Sequence, residues 1–387
     1  MGPRMTVDRV LLATVLPLLL ATIVGLVVLW PSGHAVERPA SFGPPAELVD
    51  GTVTVDRAVP CKGNPLGTAS RCRVASVRLA EGPEKGRSVD LDLFEGPGQP
   101  RLHVGDRVVL GRAADRAGID YYFSDFQRRS PLLALGLVFA VAVVVVGRLR
   151  GLAALVGLGL SFVLLIAFVL PAVLEGSNPL LVAIVGSSAI MFLLMYLAHG
   201  VNPKTTTALL GTLVSLALTG LLAAVFVQVA RVADVNTEET AYLQISAAQV
   251  SLKGILLGGI IIGSLGVLND VTVTQASAVW ALRDSDPDAG AVDLYRRAMR
   301  IGRDHIASTV DTLVLAYAGA SLPLLLLFTL ASRPIGDVLT GGLVAEEIVR
   351  TLVGGIGLVA SVPVTTGLAA MVATRGAEGG RKRPEPV

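Results

Sequence analysis

Long apolar stretches, separated by short polar ones, dominate the chain. They run over residues 10–30, 132–146, 152–170, 180–198, 208–230, 254–282, 306–330 and 348–372. Most have the roughly 20 residues that an α-helix needs to cross a hydrocarbon core. The second is the shortest, and the turn Gly147-Arg148-Leu149-Arg150-Gly151 divides it from the third. Pro171 and the group Glu175-Gly176-Ser177-Asn178-Pro179 close the third. The pattern predicts a mainly α protein, a polytopic membrane bundle of about eight helices.

Between the first two stretches the period changes. Short β-like runs at 51–55, 73–79, 88–94, 107–110 and 121–126 are punctuated by Gly, Pro and Asp. Strands at such spacing predict a small all-β domain, barrel-like or a sandwich, over residues 35–129. His103-Val104-Gly105-Asp106-Arg107-Val108-Val109 has the turn-then-strand form common in small barrels of the oligonucleotide/oligosaccharide-binding type. That shape does not assign a function. Few aromatic residues and mixed charge argue against a nucleic-acid partner. Both cysteines of the chain, Cys61 and Cys72, fall in this domain. In an oxidising compartment two such cysteines read as a disulfide; two buried free thiols are the alternative.

Composition supports a membrane location. Charged residues make up 16% of the chain and mean hydropathy is +0.68, against about 25% charged in soluble domains. Glycine, at 42 residues, lets membrane helices approach closely. The net charge of +2 says little, but its distribution sets an orientation. Arg4, Arg9, Arg148, Arg150, Lys204, Arg283, the arginines of 296–303, Arg375, Arg381, Lys382 and Arg383 fall on one side. The short loops opposite hold Arg231, Lys253, Arg333 and Arg350, and Arg128 and Arg129 run against the rule. The excess of basic residues marks the cytosolic side. Both termini are therefore expected in the cytosol and residues 35–129 outside it. A cleaved signal peptide ending at Gly33-His34-Ala35 is the alternative for the first stretch, although its length favours an uncleaved anchor.

Ionisable residues inside the sixth and seventh stretches carry the candidate chemistry. An ionisable group at a helix centre costs about 2.5–3.5 kcal/mol on insertion scales, so it faces the bundle interior or water. In the sixth, Gly259, Gly263, Gly266, Asp270, Thr274 and Ser277 share one helical face, flanked by Asn269 and Gln275. In the seventh, Asp304, Ser308 and Asp311 share a face, with His305 beside it. Asp270 precedes Arg283 by about 20 Å of ideal helix, and Asp311 follows Arg303 by about 12 Å. Both acids thus fall in the inner half of the bilayer, where they could face one another. Two carboxylates among hydroxyls and amides suit a hard cation or a shared proton. The structural alternative is helix glue: the sixth helix leaves the bilayer near Asn269, and Asp304 caps the seventh. Residues 288–303 read as a basic amphipathic helix on the inner membrane surface, with Val292, Tyr295, Met299 and Gly302 on its apolar side.

Several strings resemble the YibE/F-like family of bacterial membrane proteins, in its actinobacterial form with an extra N-terminal domain. They are GSLGVLNDVTVTQAS at 263–277, RIGRDHIASTV at 300–310 and TLVLAYAGASLP at 312–323. His199-Gly200, residues 205–211 and residues 349–354 add weaker support. The resemblance covers residues 120–372. It implies a seven-helix membrane domain over residues 130–374, preceded by a cytosolic N-terminus and first helix at 1–34 and followed by a basic, disordered cytosolic tail at 375–387. It implies no reaction. Many relatives carry Asn where Asp311 stands.

No phosphate loop, serine elbow or histidine metal spacing occurs. The chain is therefore expected to be no enzyme and to need no cofactor or metal. An intramembrane aspartyl protease is disfavoured, because Leu268-Asn269 precedes Asp270 in place of glycine-x-glycine. Two functions remain. One is a transporter or ion-conducting protein of the cell membrane, passing an inorganic ion or small solute along Asn269, Asp270, Thr274, Gln275, Asp304, His305 and Asp311. The other is a non-catalytic envelope assembly protein that meets an envelope partner through its extracytoplasmic domain. The lipid bilayer is the common partner of both.

Overall fold

The computed structural model describes residues 3–33, 47–60, 72–94, 96, 98–115, 118–234, 250–330 and 334–375. Two compact units divide the chain: residues 38–142, and residues 1–37 with 143–387.

Among the described residues, the smaller unit holds five strands: β1 (Glu47–Val59), β2 (Cys72–Leu79), β3 (Ser88–Phe94), β4 (Arg107–Asp115) and β5 (Gly118–Phe126). They form one antiparallel sheet in the order β3-β2-β1-β4-β5. All five expected strands are present, each longer than or equal to its β-like run. Register irregularities at Val53/Val55 in β1 and Val109/Leu110 in β4 increase the local twist. The sheet curls into a half-barrel whose edges β3 and β5 approach each other. Val49, Val53, Ala75, Val77, Leu79, Leu91, Leu102, Val108 and Leu110 fill the concave side. Toward one end Arg112 meets Glu47 at 2.7 Å, and the Tyr121 hydroxyl donates to Glu84 at 3.2 Å. Cys72 opens β2 and is buried. Its expected partner Cys61 lies outside the described residues.

The larger unit is helical. The helical elements are α1 (Pro3–Val28), α2 (Arg129–Leu164, of which residues 129–142 fall in the smaller unit), a π-helical turn (Leu165–Val169), α3 (Leu170–Leu174), α4 (Pro179–His199), α5 (Pro203–Val229), α6 (Leu252–Ser285), α7 (Ala291–Ala320), α8 (Leu322–Leu330), α9 (Ile335–Thr340) and α10 (Gly342–Arg375). The helix starts follow local chemistry. Asn178 accepts from the amides of Leu180 and Leu181 ahead of Pro179. Asn202 accepts from Thr205 ahead of Pro203, and Ser251 from Gly254. A short polar acceptor followed by Pro at the first helical position suits a helix N-terminus.

Six helical stretches among the described residues are long and apolar enough to cross a membrane, seven if the bent pair α7–α8 counts as one. The expectation of about eight differs because the second and third apolar stretches fall in one helical stretch, Arg129–Leu174. At 1.5 Å per residue it would be about 69 Å long, more than twice the ~30 Å hydrocarbon core. It is not straight. Arg148 has φ 52° and ψ −134° inside it, a conformation that favours glycine. Beside that break a Cβ on Gly151 would overlap the Val143 carbonyl, so the chain can fold there only because position 151 is glycine.

α6 is the centre of the helical unit, packing against α4, α5, α7 and α10. On the α4 side, Gly254 sits on Pro179 and Gly258 on Ala183. The expected glycine face proves to be a different one. Gly259 and Gly266 have nothing within 4 Å of a Cβ position, and Gly263 meets only the Tyr317 hydroxyl at 3.9 Å. The segment 288–303 is also not a separate surface helix. From Ala291 it is continuous with α7, and Leu294, Ala298 and Gly302 are buried. Leu294 and Ala298 pack with Val279, Ala369 and Ala370 toward the ends of α6 and α10, and Gly302 lies against Val362 and Gln275, while Val292 points outward, 64% exposed.

Candidate functional site

The polar residues of α5, α6, α7 and α10 gather at one level of the bundle. α5 and α10 run antiparallel and interlock through reciprocal glycine–threonine pairs. A Cβ on Gly211 would overlap the Thr365 hydroxyl, and a Cβ on Gly357 would overlap the Thr219 hydroxyl. Small residues of this kind let backbones approach where lipid gives helices no hydrophobic reason to associate. On α5 the hydroxyls are satisfied inside their own helix: Thr219 donates to the Ser215 carbonyl at 2.8 Å and Ser215 to that of Gly211 at 2.8 Å, whereas the buried Thr365 hydroxyl on α10 has no partner among the described residues.

Against this seam lies α6. The Thr272 and Thr212 hydroxyls are 2.6 Å apart. Gln275 is fully buried and accepts from the Thr366 hydroxyl at 3.0 Å. Its Nε2 has no protein partner and faces Gly302 of α7, where a Cβ would stand 3.0 Å away. A buried polar atom without a partner costs about 1–3 kcal/mol, so the amide marks a polar spot in an apolar bundle. Pro363, inside α10 at this level, cannot donate a backbone hydrogen bond and frees a carbonyl one turn earlier.

At the edge of this layer Asp270 of α6 approaches His305 of α7. Oδ2 and Nε2 are 4.0 Å apart, with the Asp270 side chain 69% and the His305 side chain 28% exposed. The distance allows charge pairing but exceeds a hydrogen bond. Asn269 is half-buried, and its Oδ1 lacks a partner. Thr274 is half-buried. Asp304 and Asp311 are exposed, and among the described residues neither makes an ion pair or hydrogen bond. The structure thus joins Asp270 with His305, and Gln275 with Thr366. It places Asp270 beside an imidazole and forms no carboxylate pair with Asp311. No group of three His, Cys, Asp or Glu able to hold a metal occurs among the described residues. Asp304 is no helix cap, because α7 begins at Ala291.

The hydroxyls of α5 and α10 escaped sequence reasoning. Their signal was present: Thr212, Ser215 and Thr219 recur at three and four residues, as do Ser361 and Thr365 after Gly357. Arg350 was also missed as a cluster. It pairs with Glu346 at 2.7 Å and Glu347 at 3.1 Å, and lines a water-sized cavity of about 10 Å³ with Tyr317, Gly263 and Gly354.

The strings carried by α6 and α7 lie inside the region matched by the family model for YibE/F-like proteins, residues 135–375. The chain belongs to the YibE/F-like family. The matched region takes in every helix of the polar layer and omits all five strands. No curated protein and no solved structure matches the chain. For this YibE/F-like chain, then, α5, α6, α7 and α10 are family architecture, and the half-barrel lies outside the matched region.

Proposed function

We propose that this YibE/F-like protein passes a proton or small inorganic cation across the cell membrane between α6 and α7, with Asp270 and His305 as the exchanging pair. The observation that carries the reading is the 4.0 Å approach of the two side chains in the middle of α6. Asp270 lies 18 residues from Leu252 and 15 from Ser285, about 27 and 22 Å from the two ends. A lone carboxylate at that depth is unfavourable in lipid. The neighbouring imidazole gives it a polar partner with which to exchange. Asn269, Thr274, Gln275, Asp304 and Asp311 are the polar groups next along the route.

In this reading the break at Arg148 separates two crossings and α7–α8 is one bent crossing, which makes eight. Both termini are then cytosolic, and residues 35–129 extracytoplasmic. The test is flux in proteoliposomes, wild type against Asp270→Asn. The amide keeps the shape and most hydrogen bonds, so the variant is expected to fold and lose flux. Equal flux in both removes Asp270 from the site. No wild-type flux for common cations or a pH gradient removes the transport reading.

Two contacts that tie helices together inside the polar layer, Thr212 with Thr272 and Gln275 with Thr366, favour a second reading. In it the bundle is an anchor, and the half-barrel meets an envelope partner. Deleting residues 47–126 separates the two: function is lost in the assembly reading, and flux persists in the transport reading.

A further inference from the structure

A second, differently built site lies where α7, α8, α9 and α10 enclose a cleft of about 320 Å³. That volume falls in the range of small-molecule sites, which are mostly apolar with a few placed polar groups. Leu325, Leu339 and Leu352 belong to its apolar wall, and Tyr317 and Glu347 are its notable polar members. One guanidinium, Arg350, is shared by two carboxylates, with Nη2 2.7 Å from Glu346 and Nη1 3.1 Å from Glu347. All three side chains are about two-thirds or more buried, so screening by water is weak. Glu347 carries one of these two carboxylates to the cleft wall. Tyr317 adds an aromatic ring, whose face attracts cations.

We propose that this cleft binds a lipophilic organic monocation, its charge held by Glu347 and Tyr317 and its apolar groups against the leucines. An acyl chain would fill the volume but would use neither the carboxylates nor the ring. A phosphate-bearing anion would meet the Glu347 carboxylate. The inference does not rest on the transport reading, since binding can be measured without flux.

The probes are tetraphenylphosphonium and tetraphenylborate, which share a shape and differ in the sign of charge. They are titrated by equilibrium dialysis into the full-length protein in neutral detergent. One saturable site for the cation is expected, with the borate at least tenfold weaker. Glu347→Gln is expected to weaken the cation at least tenfold and leave the borate unchanged. Equal affinity for the two ions, no saturable binding, or an unaffected Glu347→Gln variant overturns the proposal. Where Glu347→Gln does not fold, Leu352→Trp fills the cleft without changing charge: loss of cation binding supports the site, and retention overturns it. Competition by phosphatidylethanolamine, but not by phosphatidylglycerol, would assign the cation to a lipid ammonium group. Absence of competition would assign it to a free solute.

Discussion

Replacing Gly357 by Ala tests the interlocking of α5 and α10 with a single methyl group. The new Cβ would overlap the Thr219 hydroxyl and stand 3.2 Å from its Cβ. Thr219 is fully buried, and its hydroxyl is bonded to the Ser215 carbonyl, so the side chain has no free rotamer to move into. Relief requires the helices to part by about 1.5–2 Å, since unstrained contacts lie near 3.5–4.0 Å. Overpacking of this kind costs about 1–3 kcal/mol. The better helix propensity of alanine returns about 0.8–1.0 kcal/mol. A net destabilisation of up to about 2 kcal/mol is expected, read as a lower unfolding midpoint in detergent. Thr219→Ala in the same chain removes the clashing oxygen and should restore most of the loss, giving a coupling of at least about 1 kcal/mol in a double-mutant cycle. A Gly357→Ala variant more stable than wild type, or a cycle without coupling, would refute the argument.

Two further outcomes are expected. Cys61 and Cys72 are predicted to be bridged, a loop of about a dozen residues worth roughly 3 kcal/mol in the chain-entropy model; alkylation under denaturing, non-reducing conditions should then label neither, and full labelling rules the bridge out. The asymmetry of basic residues predicts that residues 110 and 375 lie on opposite sides of the membrane. Compartment-specific reporters fused after each should respond differently, and the same response at both sinks the eight-crossing topology.

Element type was legible in the sequence, while helix facing was not. The apolar stretches, the turn at 147–151 and the five β-like runs all correspond to observed elements, because length and period report on them directly. The packed face of α6 is another matter. Gly258 and Gly259 are neighbours in sequence, yet one touches Ala183 and the other touches nothing. In a soluble helix the polar side would have separated them. In a membrane helix lipid and core are equally apolar, so hydrophobic periodicity carries no such information. For the same reason Asp270 and His305 could be singled out by charge, whereas Thr212, Thr365 and Thr366 could not. The continuity of α7 was obscured by its basic first half. Its arginines suggested a membrane surface, but Leu294 and Ala298 are covered by protein.

The docking of α1 bears on how the protein matures. Leu11 and Val15 are buried, a Cβ on Gly25 would overlap Val185, the Trp30 ring stacks on Phe168 at 5.6 Å, and Ser32 bonds Glu175. These contacts are spread along the helix and lie N-terminal to residue 35. A peptidase cutting after that residue would break the covalent link while leaving every one of them in place. The severed helix would stay as a bound subunit of the bundle, so processing at that point would change the number of chains and leave the packing as it was.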